Sequence, residues 1–402
     1  MPLNPAAIAL QCVNCGTEYP HGAVYYCRAC TWPLTVRYQS DVGADGRPLS
    51  RSCLRQPFQG VGIGMGQGHT PLIPAHRLAR HLGIGNIYLK LESSNPTGSF
   101  KDRPVFAGLQ AALEFGGATV IVASTGNGAA AVAAYGARNG LRAILIVPSD
   151  TSDAKLAQAL SYGATVYRLS GGNYSACFQL AREVAADGGI YNVTSTFINP
   201  YTVQGDKLVG NELYEELGTE APTRVYVPVG AGPLLAGIHE GYLDYEPTQG
   251  HLPQMVAVQA AGNAPIASAY AASTAVAANP MPTTIAGGIA DGLVGYTVDG
   301  EYTLRLVRQT GGCALAVPDE AIVAAQSLLS TFEGVLAEPA AAAALAGLIA
   351  DHDNDTLPDS IRKVVMITGH GLKDLAHINT SAGRIHTIGT TDDARPRILA
   401  DM

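Results

Sequence analysis

Three groups of residues in this 402-residue chain have the types and spacing that chemistry requires. The first centres on Lys101, within Leu89–Arg103, LKLESSNPTGSFKDR. That stretch reads as a short buried strand over 87–91, a polar turn at Asn95, Pro96, Thr97 and Gly98, and a helix opening near Ser99 with Lys101 in its first turn. A cation at the positive end of a helix dipole is disfavoured, by about 0.3–1 kcal/mol at exposed sites. Imine formation with an aldehyde cofactor would consume the amine, and a phosphate on that cofactor would bring compensating charge. A solvated lysine beside Asp102 is the plainer alternative.

The second group is Cys12, Cys15, Cys27 and Cys30, two CxxC pairs separated by eleven residues. Two such knuckles can set four thiolates tetrahedrally around a structural zinc, with every ligand position filled. Metal binding would then supply the folding energy of a segment too small for its own core. Two disulfides, at odds with a reducing cytosol, or four free thiols are the alternatives. Cys53, Cys177 and Cys313 are scattered and read as small apolar residues.

The third group consists of strand-to-helix loops. Ser124, Thr125, Gly126, Asn127 and Gly128 end one strand and open an alanine-rich helix. Hydroxyls, amides and a helix N-terminus suit a carboxylate, although capping by Ser124 or Thr125 alone would use the same residues. The apolar run Val225–Val229 leads into Gly230, Ala231, Gly232, Pro233 and Leu234, where backbone N–H groups can cradle a phosphate. Pro233 removes one donor, and a tight βα turn is the structural alternative. A strand over 363–368 delivers Thr368, Gly369 and His370 to its C-terminal end, where α/β sheets place ligands.

The elements that must position these residues alternate. Strands are expected at 119–123, 143–147, 164–168 and 190–193, and helices at 104–115, 128–139, 152–161 and 174–187, a parallel sheet with crossover helices. Residues 41–68 read as a Gly- and Pro-rich linker entering a loop, and the chain beyond 385 as a tail. With 47% apolar and 14% charged residues, the chain has the composition of a Gly- and Ala-rich α/β enzyme. A net charge of −8 argues against a nucleic-acid surface. No run of about 18 apolar residues suggests a membrane span, and the N-terminus lacks an export signal, so a cytoplasmic location is expected. Gly60–Gly68 gives no GxGxxG register ahead of a helix, which removes the case for a nicotinamide dehydrogenase.

The motifs resemble, in order, those of the fold-type-II pyridoxal phosphate (PLP) enzymes. NPTGSFKDR, GQGHTPL (Gly66–Leu72) and TGHGLKD are similar to threonine synthase motifs, whereas VPVGAGPLLAG and TTIAGGIADGL look closer to dehydratases. CVNCGTEYP…YYCRACTWPLTV resembles the N-terminal zinc ribbon of many threonine-synthase-like chains, and AEPAAAA, with Glu338, the EPA motif near the cofactor. The resemblance implies two open parallel-sheet, three-layer domains with PLP between them: 41–103 with 201–385 as the large cofactor domain, 104–200 as the small substrate domain, after a ribbon over 1–40 and before a tail over 386–402. It makes Lys101 the Schiff-base lysine and catalytic base. Asn127, Gly230, Ala231, Gly232, Leu234 and Thr368 would bind the cofactor. Ser124, Thr125, Gly126 and Asn127 would hold the substrate carboxylate. NPYTVQGDK (Asn199–Lys207) aligns with NPxRxEGQK, so Thr202 occupies the position of a phosphate-gripping arginine, and Asp206 that of a glutamine. That change disfavours a dianionic leaving group. The implied activity is elimination or replacement at Cβ or Cγ of a small amino acid such as an O-phosphohomoserine-type substrate. A dehydratase-type ammonia-lyase and a β-replacement synthase are the alternatives. A homodimer that binds neither nucleic acid nor membrane is expected.

Overall fold

The computed structural model of the chain describes residues 3–39, 56–58, 60–171, 173–187, 189–218, 223–245, 252–355, 357–378 and 380. Cys53, part of the expected linker and the expected tail lie outside these residues. Strands β1 (Ala7–Cys12), β2 (Glu18–Tyr19) and β3 (Leu34–Tyr38) form an antiparallel sheet in the order β2-β1-β3, and the cysteine pairs sit at its turns.

Strand β4 (Leu72–Pro74) leads through α1 (His76–Leu82) to β5 (Ile87–Lys90). Next come α2 (Asp102–Glu114), β6 (Thr119–Ala123), α3 (Asn127–Arg138), β7 (Arg142–Pro148), α4 (Asp153–Ser161), β8 (Thr165–Leu169), α5 (Tyr174–Ala186) and β9 (Ile190–Asn192). Their boundaries fall within two residues of those expected from hydrophobic periodicity, and β8-β7-β6-β9 form a parallel sheet. The second half comprises α6 (Pro200–Leu217), β10 (Thr223–Pro228), α7 (Pro233–Leu243), β11 (Gln254–Ala260), α8 (Pro265–Ala272), α9 (Thr297–Gln309), β12 (Ala314–Val317), α10 (Asp319–Glu333), α11 (Pro339–Asn354) and β13 (Arg362–Met366).

These strands complete a six-stranded sheet, β12-β11-β10-β13-β5-β4. Its pairs are parallel, as expected, except at one edge, where β4 runs antiparallel to β5. At the edge only one side of a strand must match the ladder, so an antiparallel edge on a parallel sheet is tolerated.

Small residues bring helices close to their neighbours. In α11, Ala340–Ala346 are buried, and a Cβ added at Gly347 would lie 2.4 Å from Val258 Cγ2 on β11. Helix α6 crosses α2 and α7 almost backbone to backbone: a Cβ at Gly205 would lie 2.2 Å from the Arg103 carbonyl, and one at Gly241 2.3 Å from that of Lys207. The N-terminal sheet touches both halves. Tyr25 Oη accepts from Asn192 N in β9 (2.9 Å), Tyr26 donates to Asp299 in α9 (3.2 Å), and Arg305 donates to the Val13 carbonyl (2.7 Å).

Candidate active site

Lys101 immediately precedes α2, which begins at Asp102 rather than at the expected Ser99. The turn before it explains the difference. Asp102 accepts from Thr97 N at 2.7 Å and from the Thr97 hydroxyl, so its carboxyl closes the turn instead of neutralising Lys101. Burial lifts Asp102 to about 6 in spite of those bonds. The segment is also stitched to the end of β13: Phe100 N donates to the Thr368 carbonyl (2.9 Å) and His370 N to that of Gly98 (2.9 Å). Two motifs far apart in sequence thus share one backbone ladder. Beneath them, buried Arg103 donates to Glu92 (2.7 and 2.8 Å) and Glu212 (2.6 and 2.8 Å), while buried Lys90 meets Glu212 at 3.0 Å. Buried ion pairs with this many hydrogen bonds fix orientation more surely than they add net stability.

A cavity of about 620 Å³ opens where the C-terminal ends of strands from both larger sheets meet. Lys101, Ser124, Thr125, Gly126, Asn127, Gly230, Ala231, Gly232, Leu234 and Thr368 all line it. The Ser124 hydroxyl accepts from Ala129 N at 3.1 Å, the capping role that remained open. A Cβ at Gly128 would lie 2.9 Å from Ser124 Oγ, so a hydroxyl residue at 128 would displace that cap. On the opposite side, Gly232 has φ +107 and precedes Pro233, the first residue of α7. Thr303 Oγ1 donates to the Ala231 carbonyl at 2.6 Å and holds this loop from behind.

Thr202 is not brought to the cavity. Its hydroxyl donates to the Asn199 carbonyl (2.7 Å) inside α6 and is fully buried. The expectation that it contacts substrate is corrected: α6 presses that face onto α2, where a Cβ at Gly108 would lie 3.0 Å from Thr202 Cγ2. Among the described residues lining the cavity there is no arginine.

The structure adds residues that periodicity does not single out. Glu338 precedes α11, but its carboxylate accepts from Asn127 Nδ2 at 2.7 Å rather than merely complementing the helix dipole. The EPA wording was the available signal. Asp291, within the IADG stretch, lines the cavity and accepts from Leu293 N (3.0 Å) and Tyr296 (2.6 Å). The Ser195 carbonyl accepts from Lys101 Nζ at 3.4 Å, and a backbone acceptor leaves no trace in side-chain chemistry. Burial holds Lys101 below the ordinary lysine range, partly opposed by Asp206, Asp291 and Glu338, whose own carboxyls burial pushes up.

The four N-terminal cysteines also converge, with all ligand atoms within 4.8 Å of one another. Cys12 and Cys30 sulfurs are 3.4 Å apart, and those of Cys15 and Cys27 3.6 Å. A tetrahedral site with bonds of about 2.3 Å sets sulfurs about 3.8 Å apart, so the donor set and its geometry fit zinc. Among the described residues, no helix is long and apolar enough to cross a membrane.

Known proteins resemble this chain over most of its length. Residues 63–369 match the family model described as pyridoxal-phosphate dependent enzyme. The chain is 36% identical over 378 residues to a threonine synthase of Methanosarcina acetivorans, covering 91% of this chain and 92% of that one. It is 35% identical over 382 residues to a threonine synthase of Methanocaldococcus jannaschii, covering 90% and 92%. Among solved structures, the processed form of threonine deaminase isoform 2 from Solanum lycopersicum superposes with a TM-score of 0.64 at 25% identity, over 77% of this chain and 80% of that one. The chain therefore belongs to the pyridoxal-phosphate dependent enzymes of fold type II, in the group that contains the threonine synthases.

Proposed function

We propose that this protein is a PLP-dependent lyase or synthase that acts, as threonine synthases do, by elimination or replacement at Cβ or Cγ of a small amino acid. The observation that carries this reading is Lys101 in one cavity with two strand-to-helix anion loops and Thr368. PLP, when bound, supplies an electron sink for charge developing at the substrate's α-carbon. The backbone N–H groups around Gly230, Ala231, Gly232 and Leu234 would hold its phosphate, and Asn127 and Thr368 would orient its ring. A hydroxyl at 368, unlike a carboxylate, does not stabilise a protonated ring nitrogen, which suits elimination better than transamination. Ser124, Thr125, Gly126 and Asn127 bind the substrate carboxylate. Lys101, its proton affinity lowered by burial, would hold the cofactor through its amine and, when released, would be the base placed to take the substrate's α-proton.

Among the described cavity residues no arginine offers a bidentate grip on a phosphate ester, while the cations Lys155 and Lys373 line the wall. A dehydratase-type ammonia-lyase is the second reading, favoured by Gly287–Asp291 on the cavity wall and by the structural likeness to a threonine deaminase. Residues 104–200 serve as the substrate domain, 41–103 with 201–385 as the cofactor domain, and Cys12, Cys15, Cys27 and Cys30 hold one structural zinc. The same reading takes the protein as a cytoplasmic homodimer.

The test is a visible absorbance spectrum of the purified protein during titration with O-phosphohomoserine, threonine, serine and O-phosphoserine. A cofactor band that shifts with one of them identifies the substrate class, and release of phosphate or keto acid then names the reaction. Absence of any band after added PLP would refute the proposal. Metal analysis should give about one zinc per chain; a metal-free protein with an intact fold would refute that part.

A further inference from the structure

The N-terminal sheet meets α9 at two points, and both lie in the cysteine knuckles. Tyr26, next to Cys27, donates to both carboxyl oxygens of Asp299 at 3.2 Å. Further along the helix, Arg305 donates to the Val13 carbonyl (2.7 Å) and to the Asn14 side chain (3.4 Å), both between Cys12 and Cys15. Its guanidinium also lies 4.7 Å from the ring centre of Trp32, just past Cys30.

Between these two points α9 carries Thr303, which is fully buried and whose hydroxyl reaches the Ala231 carbonyl at 2.6 Å. The Gly230–Leu234 loop therefore has two supports of different kinds. Its start is held from the sheet, where Gln259 of β11 donates to the Val229 and Gly230 carbonyls at 3.3 Å. Ala231 and Gly232 lean on α9 instead.

Whatever fixes α9 is thus part of the cradle. The helix buries Tyr302, Leu304, Leu306 and Val307. Apolar contact is non-directional, so it sets the depth of the helix rather than its register along the axis. Register comes from directional bonds. Just past the C-terminal end Thr310 accepts from Met255 N on β11 (3.1 Å), and Val276 N, from the loop after α8, donates to Glu301 (2.6 Å). The bonds that flank Thr303 from a packed sheet are those of Asp299 and Arg305, and both lead to the cysteine segment.

We propose that Tyr26 and Arg305 are positioning residues for the phosphate cradle: through them the cysteine knuckles set the register of α9, and Thr303 passes it on to Ala231 and Gly232. The four-cysteine cluster is then part of the cofactor site, although no cysteine is among the described residues that line the cavity. The proposal rests on the reading of the Gly230–Leu234 loop as the site of the PLP phosphate.

The test reads the loop rather than turnover, through the phosphorus NMR resonance of bound PLP and the PLP dissociation constant of cofactor-stripped protein. Thr303→Val, which keeps the shape and removes the donor, should weaken PLP binding about tenfold and move the resonance; Thr303→Ser, which retains the hydroxyl, should keep both. Tyr26→Phe and Arg305→Gln should each weaken binding at least about threefold and move the resonance in the same direction. Tyr25→Phe is the control, because it removes the bond of the same segment to Asn192 N and should leave both readouts as in wild type. Equal shifts in Tyr25→Phe and Tyr26→Phe would mean only a loosened N-terminal sheet and would overturn the proposal, as would wild-type values in Tyr26→Phe and Arg305→Gln. If those variants do not fold, removal of zinc from the wild type by dialysis against a chelator takes their place: weaker PLP binding with an unchanged circular dichroism spectrum is expected, and wild-type affinity would overturn the proposal. A wild type with no resonance of bound PLP would overturn the cofactor reading together with this one; a wild-type resonance that the variants do not move overturns this one alone.

Discussion

The two strand-to-helix loops of the cavity are built from the same parts, a buried strand, glycines and a helix N-terminus, yet they differ in how tightly they are held. On the six-stranded side, a Cβ at Gly232 would lie 2.1 Å from Thr303 Oγ1, and one at Gly230 3.1 Å from Asp291 Cβ. On the four-stranded side, a Cβ at Gly126 would meet nothing within 4 Å. One loop is a fixed cradle backed by side chains; the other has open space around its central glycine. A preformed site binds without an ordering cost and suits a resident group, whereas an open loop suits a ligand that enters and leaves with each turnover.

Changes on either side test that contrast. The largest effect belongs to the residue both loops face: Lys101→Ala should lower turnover at least about 10³-fold while the circular dichroism spectrum stays that of wild type. Measurable turnover near the wild-type rate would remove the chemistry for which the two loops are compared.

The network under the Lys101 turn should make the fixed side acid-sensitive. Burial alone would raise Glu212, but the bonds from Arg103 and the charges of Arg103 and Lys90 win and hold it at about 2, below its ordinary 4.5. The folded state therefore binds fewer protons than the unfolded one between these values. The stability Glu212 contributes is present above pH 4.5 and lost as pH falls toward 2, on the order of 3 kcal/mol in all. Urea melts across that window should show this slope in wild type and a flatter one in Glu212→Gln; parallel curves would mean that the network does not stiffen this side.

Between the loops, Gly232→Ala should weaken PLP retention tenfold or more in dialysis, because the methyl group collides with Thr303 and the backbone has φ +107. Gly126→Ala should keep PLP retention within about twofold and raise KM instead, because an added methyl meets nothing within 4 Å but the backbone angles, φ −137 and ψ −118, favour glycine and the loop must shift. Equal effects of the two substitutions would erase the distinction between a fixed cradle and an open loop.

Much of this site could be read along the chain because each loop is local. The boundaries of the βα units over 119–192 follow from apolar runs punctuated by Gly and Ser, since a buried parallel strand and its covering helix each impose their own period. Lys101, the 124–128 and 230–234 loops and Thr368 announce themselves by residue type at element ends. Thr202 misled because a motif position does not specify which face of α6 looks inward. The antiparallel β4 was hidden because a three-residue edge strand has no periodicity of its own.

What the sequence determined by itself was chemistry in local frames: a lysine at the start of a helix, glycine loops at strand ends, and four cysteines in two CxxC pairs. What tertiary structure alone decided was which of these meet. The Phe100–Thr368 ladder, the Asn127–Glu338 bond and the Tyr26–Asp299 bond join residues separated by 268, 211 and 273 positions along the chain. Their partners are chosen by helix crossings and sheet order, which depend on close packing of the whole core rather than on any single stretch.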